Sequence, residues 1–282
     1  MPSLILIHIG PDYPTYMNDC IEQAQQVCPI PIHVLVPRSL LRYVPASTTV
    51  CALEDIPVTS ELRLFEERSR HNTGFRNGFW KFTTMRFFFI HAYTQWKELT
   101  DVFHIEYDNL IYEDFLPVLP IFREKEMWAV MDSPRRCIPS FLYFRDAAIQ
   151  ATLLQTLLQL APIAKNDMES LAFFIQTNPS RVGWLPIVTA VYTDGEIDRR
   201  YTEHAERFGL LFDGAALGQY VGGVDPRNTP GDTCGFINET CVFRCDRADF
   251  IMDARRKPTL NGFPVVNLHI HSKDLKRWCL HR

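Results

Sequence analysis

Apolar residues arrive along this chain in short blocks separated by polar, Gly- and Pro-rich breaks. SLILIHI at 3–9 is a continuous apolar run of strand length, closed by Gly10-Pro11-Asp12. Tyr16 to Val27 then reads as a helix, Ile30 to Val36 as a second strand and Thr48 to Leu53 as a third. Strand, helix, strand with short connections is the pattern of a parallel α/β sheet. The loop Gly10–Asp12 then belongs at a carboxyl edge, where open α/β sheets bind ligands. The region before Gly78 is charged and irregular, Phe79 to Leu99 is apolar and helical in length, and Val102 to Glu106 is a short strand. Met127–Met131 and Ser140–Phe144 read as further strands. Ile149, Leu153, Leu157 and Leu160 repeat at spacings of four and three, which predicts an amphipathic helix over 147–164, with another from Asp167 to Gln176. Residues 194–264 hold many Gly, Pro, Asp and Asn with patchy periodicity, a composition that marks a functional or mobile segment. FPVVNLHIHSK restores a strand. The expectation is a single α/β domain over 1–282, its mainly parallel central sheet flanked by helices.

Composition narrows the function classes. With 282 residues, 46% of them hydrophobic and 12% aromatic, the chain has ample material for a core, and intrinsic disorder is excluded. The formal net charge of −4 argues against nucleic-acid binding, though it leaves room for a local basic pocket. Eight cysteines show no CxxC and no regular spacing, so all are read as reduced thiols of a reducing compartment. The opening MPSLILIHIG lacks the basic region and cleavage site of a signal peptide, and no stretch is apolar enough to span a membrane. The sequon at Asn238 would matter only in a secreted protein.

Two constellations could carry chemistry. In VFHIEYDNLIY, Glu106 and Asp108 project to the same side of an extended backbone, and their mutual repulsion calls for protons or a cation. A hard divalent ion that shares its shell with phosphate oxygens is the economical answer; two solvated surface acids are the alternative. In NLHIHSK, His269 and His271 face one way, so either can complete a shell begun by carboxylates, and Lys273 can reach a phosphate. Alternatively they are a hydrogen-bonded pair at a strand end. Arg76, Lys81 and Arg86 either neutralise a diphosphate beside the metal or snorkel to solvent. The chain has no GxxxxGK[ST] loop, no GxGxxG after the first strand and no GxSxG elbow. Gly214, Gly218 and Gly222, spaced by four, suit close helix packing rather than phosphate binding.

Taken together these residues resemble the GT-A class of nucleotide-sugar glycosyltransferases, with Glu106-Tyr107-Asp108 as a variant of its DxD motif. GFWKFTTMRFFF, FHIEYDNLIY, LFDGAALGQYVGGVDP, GFINETCVF and NLHIHSK are similar to a group of mostly bacterial and viral glycosyltransferase-like proteins, over about residues 74 to 275. The resemblance implies a Rossmann-like GT-A fold, with a nucleotide-sugar half over 1–115 and an acceptor half over 116–282. It implies a hexosyl- or pentosyltransferase that uses Mn²⁺ or Mg²⁺, a UDP-sugar donor and a glycan or glycoconjugate acceptor. Glu106, Asp108 and His269 are the implied metal ligands, with His271 second. His8, Gly10, Asp12, Arg86, Glu106 and Lys273 are expected at the donor, Arg86 through the likeness of Thr83-Thr84-Met85-Arg86 to the T-T-x-x-R helix of retaining members. Asp167 is the expected base for the acceptor hydroxyl, with helix capping as its rival role and Asp213 and Glu239 as competitors. The expected location is cytoplasmic, or at a membrane face for a lipid-linked acceptor. A sugar-1-phosphate nucleotidylyltransferase and a non-catalytic sugar- or nucleotide-binding module are the alternatives.

Overall fold

The computed structural model describes residues 1–72, 74–189, 199–225 and 249–280. The chain forms β1 (Ser3–Ile7), α1 (Tyr16–Val27), β2 (Ile32–Val36), β3 (Thr49–Ala52), α2 (Ser60–Arg68), α3 (Phe79–Trp96), β4 (Val102–Ile105) and β5 (Asn109–Ile111). It continues through α4 (Leu119–Phe122), β6 (Met127–Ser133), β7 (Arg136–Phe144), α5 (Ala147–Leu160), α6 (Asp167–Thr177) and β8 (Val182–Trp184). After these come α7 (Ala205–Phe208), α8 (Ala216–Gly222), β9 (Phe250–Met252), β10 (Pro258–Leu260), β11 (Phe263–Pro264) and β12 (Asn267–His269).

The central sheet has seven strands in the order β3-β2-β1-β4-β7-β6-β8. β1 runs parallel to β2 and β4, β2 to β3, and β6 to β8. β7 is the exception, antiparallel to both β4 and β6. Only Pro134 and Arg135 separate β6 from β7, a link too short for a parallel crossover, so the pair must be a hairpin. The expected mainly parallel α/β sheet is therefore present with one reversed strand. Leu4, Ile5, Leu6 and Ile7 are all buried, so successive residues pointing to opposite faces both find cover. α3 packs on β1 and against α5, which α2 and α6 join. α3 is buried over most of Thr84 to Thr94 because it lies between sheet and helices.

Two regions depart from the sequence reading. The charged stretch before Gly78 contains α2, whose Thr59 hydroxyl accepts the Leu62 N–H (3.2 Å) and whose Leu62 and Phe65 face the core. The irregular region holds α7, α8 and the small sheet β11-β10-β9, while 190–198 and 226–248, and with them Glu239, lie outside the described residues. Among the described residues Cys20, Cys28, Cys51, Cys137 and Cys279 are free thiols. No described helix is long and apolar enough to cross a membrane.

β12 does not join the central sheet. It pairs antiparallel with β5, setting Leu268 opposite Leu110 and His269 opposite Asn109. The Ile270 N–H then reaches the Asp108 carbonyl at 2.8 Å. This register carries the late histidine to the acids that follow β4.

Candidate metal centre

Sequence alternation put Glu106 and Asp108 on one side of a strand. The structure brings both acids together by another route: β4 stops at Ile105 and the chain turns, with the Asn109 N–H and side-chain amide both donating to the Glu106 carbonyl at 3.0 Å. The turn, rather than strand pleating, aims the two carboxylates at a common point. Glu106, Asp108 and His269 each offer a ligand atom, and these atoms lie within 4.8 Å of one another. His269 Nε2 is 3.1 Å from Asp108 Oδ2 and 3.5 Å from Glu106 Oε2. Its Nδ1 donates to the Gly214 carbonyl (2.7 Å), so the ring presents Nε2 to the acids.

Cations surround the same acids. Arg86, 7% exposed, donates to Glu106 Oε1 (2.7 Å) and to Asp167 Oδ2 (2.6 Å), and Lys273 Nζ donates to Asp108 Oδ2. Burial alone would push the Asp108 carboxyl up, but His269 and Lys273 hold it well below the usual carboxylate range. Burial likewise disfavours a charged His269, yet Asp108 and then Glu106 overcome it and raise the ring to about 9. Counting His269 as protonated, three carboxylates (Glu106, Asp108 and Asp167) face three cations. A divalent cation in place of that proton fits the donor set of two carboxylates and one oriented imidazole nitrogen. Lys273 adopts a left-handed backbone (φ 65°), an uncommon state for a non-glycine residue, where the Ile270–Lys273 turn ends the strand.

Asp167, Asp213 and His271 each contact a residue of this centre. Asp167 is not a helix cap: the Asn166 side chain accepts the Glu169 N–H (2.9 Å), and both Asp167 oxygens go to Thr83 Oγ1 (3.1 Å) and Arg86. Asp213, 2% exposed, accepts main-chain N–H groups from Leu217, Gly218 and His269. His271 stacks edge-on to His269 with ring centroids 4.4 Å apart, and its Nδ1 pairs with Gln219. Burial, and then the neighbouring positive charge of His269, depress His271 well below the ordinary imidazole range.

At the carboxyl end of β1, His8 Nδ1 pairs with the Tyr107 hydroxyl (2.9 Å), and Tyr16 lies against Tyr107. A side chain at Gly10 would collide with the His8 ring, so glycine permits that placement. Asp12 is exposed. The sequence reading missed Asp132, buried at the end of β6 and paired with Arg136; it lines a small pocket with Asp213 and Gly214. It also missed Asp225, which pairs with Arg76 at 3.3 Å. Neither has a motif: Asp132 meets Arg136 across the β6–β7 hairpin, and Asp225 meets Arg76 from a part of the chain far off in sequence.

No protein-family model matches the chain, and no curated protein matches it in sequence. Solved structures do. Mouse xyloside xylosyltransferase 1 is similar over 73% of this chain and 92% of its own, at 9% identity and TM-score 0.46. An active-site mutant of LgtC is similar over 73% and 82%, at 11% identity and TM-score 0.49. The galactosyltransferase LgtC, solved with donor and acceptor sugar analogs, is similar over 71% and 83%, at 10% identity and TM-score 0.45. These neighbours are glycosyltransferases. At such identities and TM-scores the likeness decides neither substrate nor reaction, which rest on the site itself.

Proposed function

We propose that this chain is a metal-dependent glycosyltransferase, moving a sugar from a nucleotide diphosphate donor, first of all a UDP-sugar, to a carbohydrate acceptor. One observation carries the reading: Glu106, Asp108 and His269 converge beside the carboxyl edge of the sheet, with Arg86 and Lys273 seated on the same carboxylates. Acids alone would suit many cations, and basic groups alone many anions. Their interleaving suits a cation and an oxyanion bound side by side, as a leaving diphosphate requires.

Glu106, Asp108 and His269 would hold the Mn²⁺ or Mg²⁺, which would supply Lewis-acid stabilisation of the phosphate charge. The rest falls to the chain's own side chains. Lys273 leaves Asp108 for a phosphate oxygen, contributing a mobile positive charge. Arg86, fixed by Asp167 behind it, presents a rigid guanidinium to the donor. His8, Tyr107 and Tyr16 wall the base and ribose, with Gly10 and Asp12 at the mouth. His271 is the second candidate ligand behind His269. Among the acids weighed for the acceptor proton, Asp213 and Asp167 already hold hydrogen-bond donors on both oxygens. Asp167 therefore serves first as the anchor of Arg86.

The test is incubation with a panel of UDP-, GDP- and dTDP-sugars and Mn²⁺, followed by measurement of released nucleotide. At least one donor should be cleaved. Asp108→Asn should abolish that cleavage in a chain that still unfolds cooperatively, as a catalytic site requires and a binding module does not. If no donor is bound or cleaved with metal present, the reading fails.

A further inference from the structure

We infer that Asp213 and Gly218 form a positioning device for His269, fixing its main chain and imidazole so that Nε2 meets the two acids. The inference rests on the metal-centre reading for its consequence, but not for its geometry.

Three independent contacts from one short segment converge on this residue. The Asp213 carboxylate accepts the His269 N–H at 3.0 Å. The same carboxylate accepts the Leu217 N–H (3.0 Å) and the Gly218 N–H (2.8 Å), which ties the first turn of α8 to the histidine's backbone. One residue on, the Gly214 carbonyl accepts from His269 Nδ1. That bond leaves Nε2, not Nδ1, as the ligand nitrogen, which is how metal-binding histidines are usually oriented. Gly218 closes the device from the side: a Cβ there would overlap the His269 carbonyl, so only glycine lets α8 lie against β12.

Asp213 is itself held. Its own carbonyl accepts from Ser140 Oγ (2.7 Å) and Asn267 Nδ2 (2.9 Å), and its N–H donates to Asn267 Oδ1 (3.2 Å). Asn267 also donates to the Asn109 side chain (2.8 Å), on the strand that follows Asp108. The imidazole is thus referenced to β7 and β5 rather than to a free loop. Asp213, 2% exposed and with its oxygens occupied by main-chain amides, does not touch substrate and acts through His269.

The experiment measures Mn²⁺ affinity by titration calorimetry on the full chain and its Asp213→Asn, Gly218→Ala and His269→Ala variants, with thermal unfolding of each. Asp213→Asn removes one acceptor but also a charge, whereas Gly218→Ala displaces the His269 backbone with no change of charge. Both should stay folded and lose about 10–100-fold in Mn²⁺ affinity, approaching His269→Ala. Wild-type affinity in a folded Asp213→Asn or Gly218→Ala variant overturns the inference. So does unfolding of both, which would make the segment ordinary core. Should the wild type bind no Mn²⁺, the metal reading is what fails. The inference is then read from the ¹⁵N resonance of His269 Nδ1 in the metal-free chain. Asp213→Asn must shift that resonance, and an unshifted one overturns the inference.

Discussion

At the scale of single residues, the acids and the histidine were legible because their types declare their chemistry, whereas what each side chain answers to was not. Glu106, Asp108 and His269 are brought together, but by a turn after Ile105 and not by the pleat that seemed to align the acids. Asp213 reads in sequence as a free loop acid, since nothing in DGAALG announces that three amides, one of them over fifty residues away, will fill its oxygens. Asp167 illustrates the same limit. Its neighbour Asn166 takes the cap, which frees the carboxylate for Arg86. In the anchor role, Asp167→Asn should raise the donor KM about tenfold, ~1.4 kcal/mol, with kcat little changed. Steady-state kinetics with varied donor decides it: a fall in kcat of about 10²-fold at unchanged donor KM would make Asp167 the acceptor base instead.

At the scale of elements, strands with continuous apolar runs and the long helix α3 were readable from periodicity, while α2 was hidden by its charge. Its evidence was present as Thr59 in the capping position and Leu62 and Phe65 three apart, too few apolar residues to outweigh Glu61, Arg63, Glu66 and Glu67. Strand direction was likewise invisible locally, because β7 owes its reversal to the two-residue link with β6. A staple at the start of β4 gives the element-scale prediction. Asp101, 5% exposed, accepts from Arg123 (3.0 and 2.6 Å) and from the Tyr143 hydroxyl on β7 (2.8 Å). Burial opposes its charge, but these donors hold its carboxyl below the usual range. Such a group contributes stability that is present above the unfolded-state value and lost as pH falls through the folded one. Asp101→Asn, which keeps a residue tolerant of the left-handed φ of 52°, should therefore cost about 1–3 kcal/mol at pH 7. In urea unfolding the difference from wild type should shrink as the pH drops below about 4. A constant difference down to pH 2 would show that the charge is not what Asp101 contributes.

For the molecule as a whole, six of the seven sheet strands follow from pattern, but β8 and the pairing of β12 with β5 do not, because these strands are short and β12 lies far from β5 in sequence. That pairing makes the centre a link between early and late parts of the chain. A cation bound there should stabilise the fold as any ligand of the native state does, by about 2.7 kcal/mol at a hundredfold excess over Kd. The expected readout is a rise in Tm of roughly 5 °C or more with Mn²⁺, reversed by EDTA and absent in His269→Ala. No shift in the wild type would mean that the site does not hold the ion. The same pairing imposes an order in time. Asp108 and Lys273 are 165 residues apart, which at ribosomal rates of ≈ 5–20 residues per second is about 10–30 s. Before that interval is half over the nascent chain contains every strand of the large sheet, complete by Trp184, and it has Arg86 but neither His269 nor Lys273 to face its acids. On the metal reading, uptake of the ion waits for β12 to dock on β5, since a chain without that pairing offers the two acids but not their histidine.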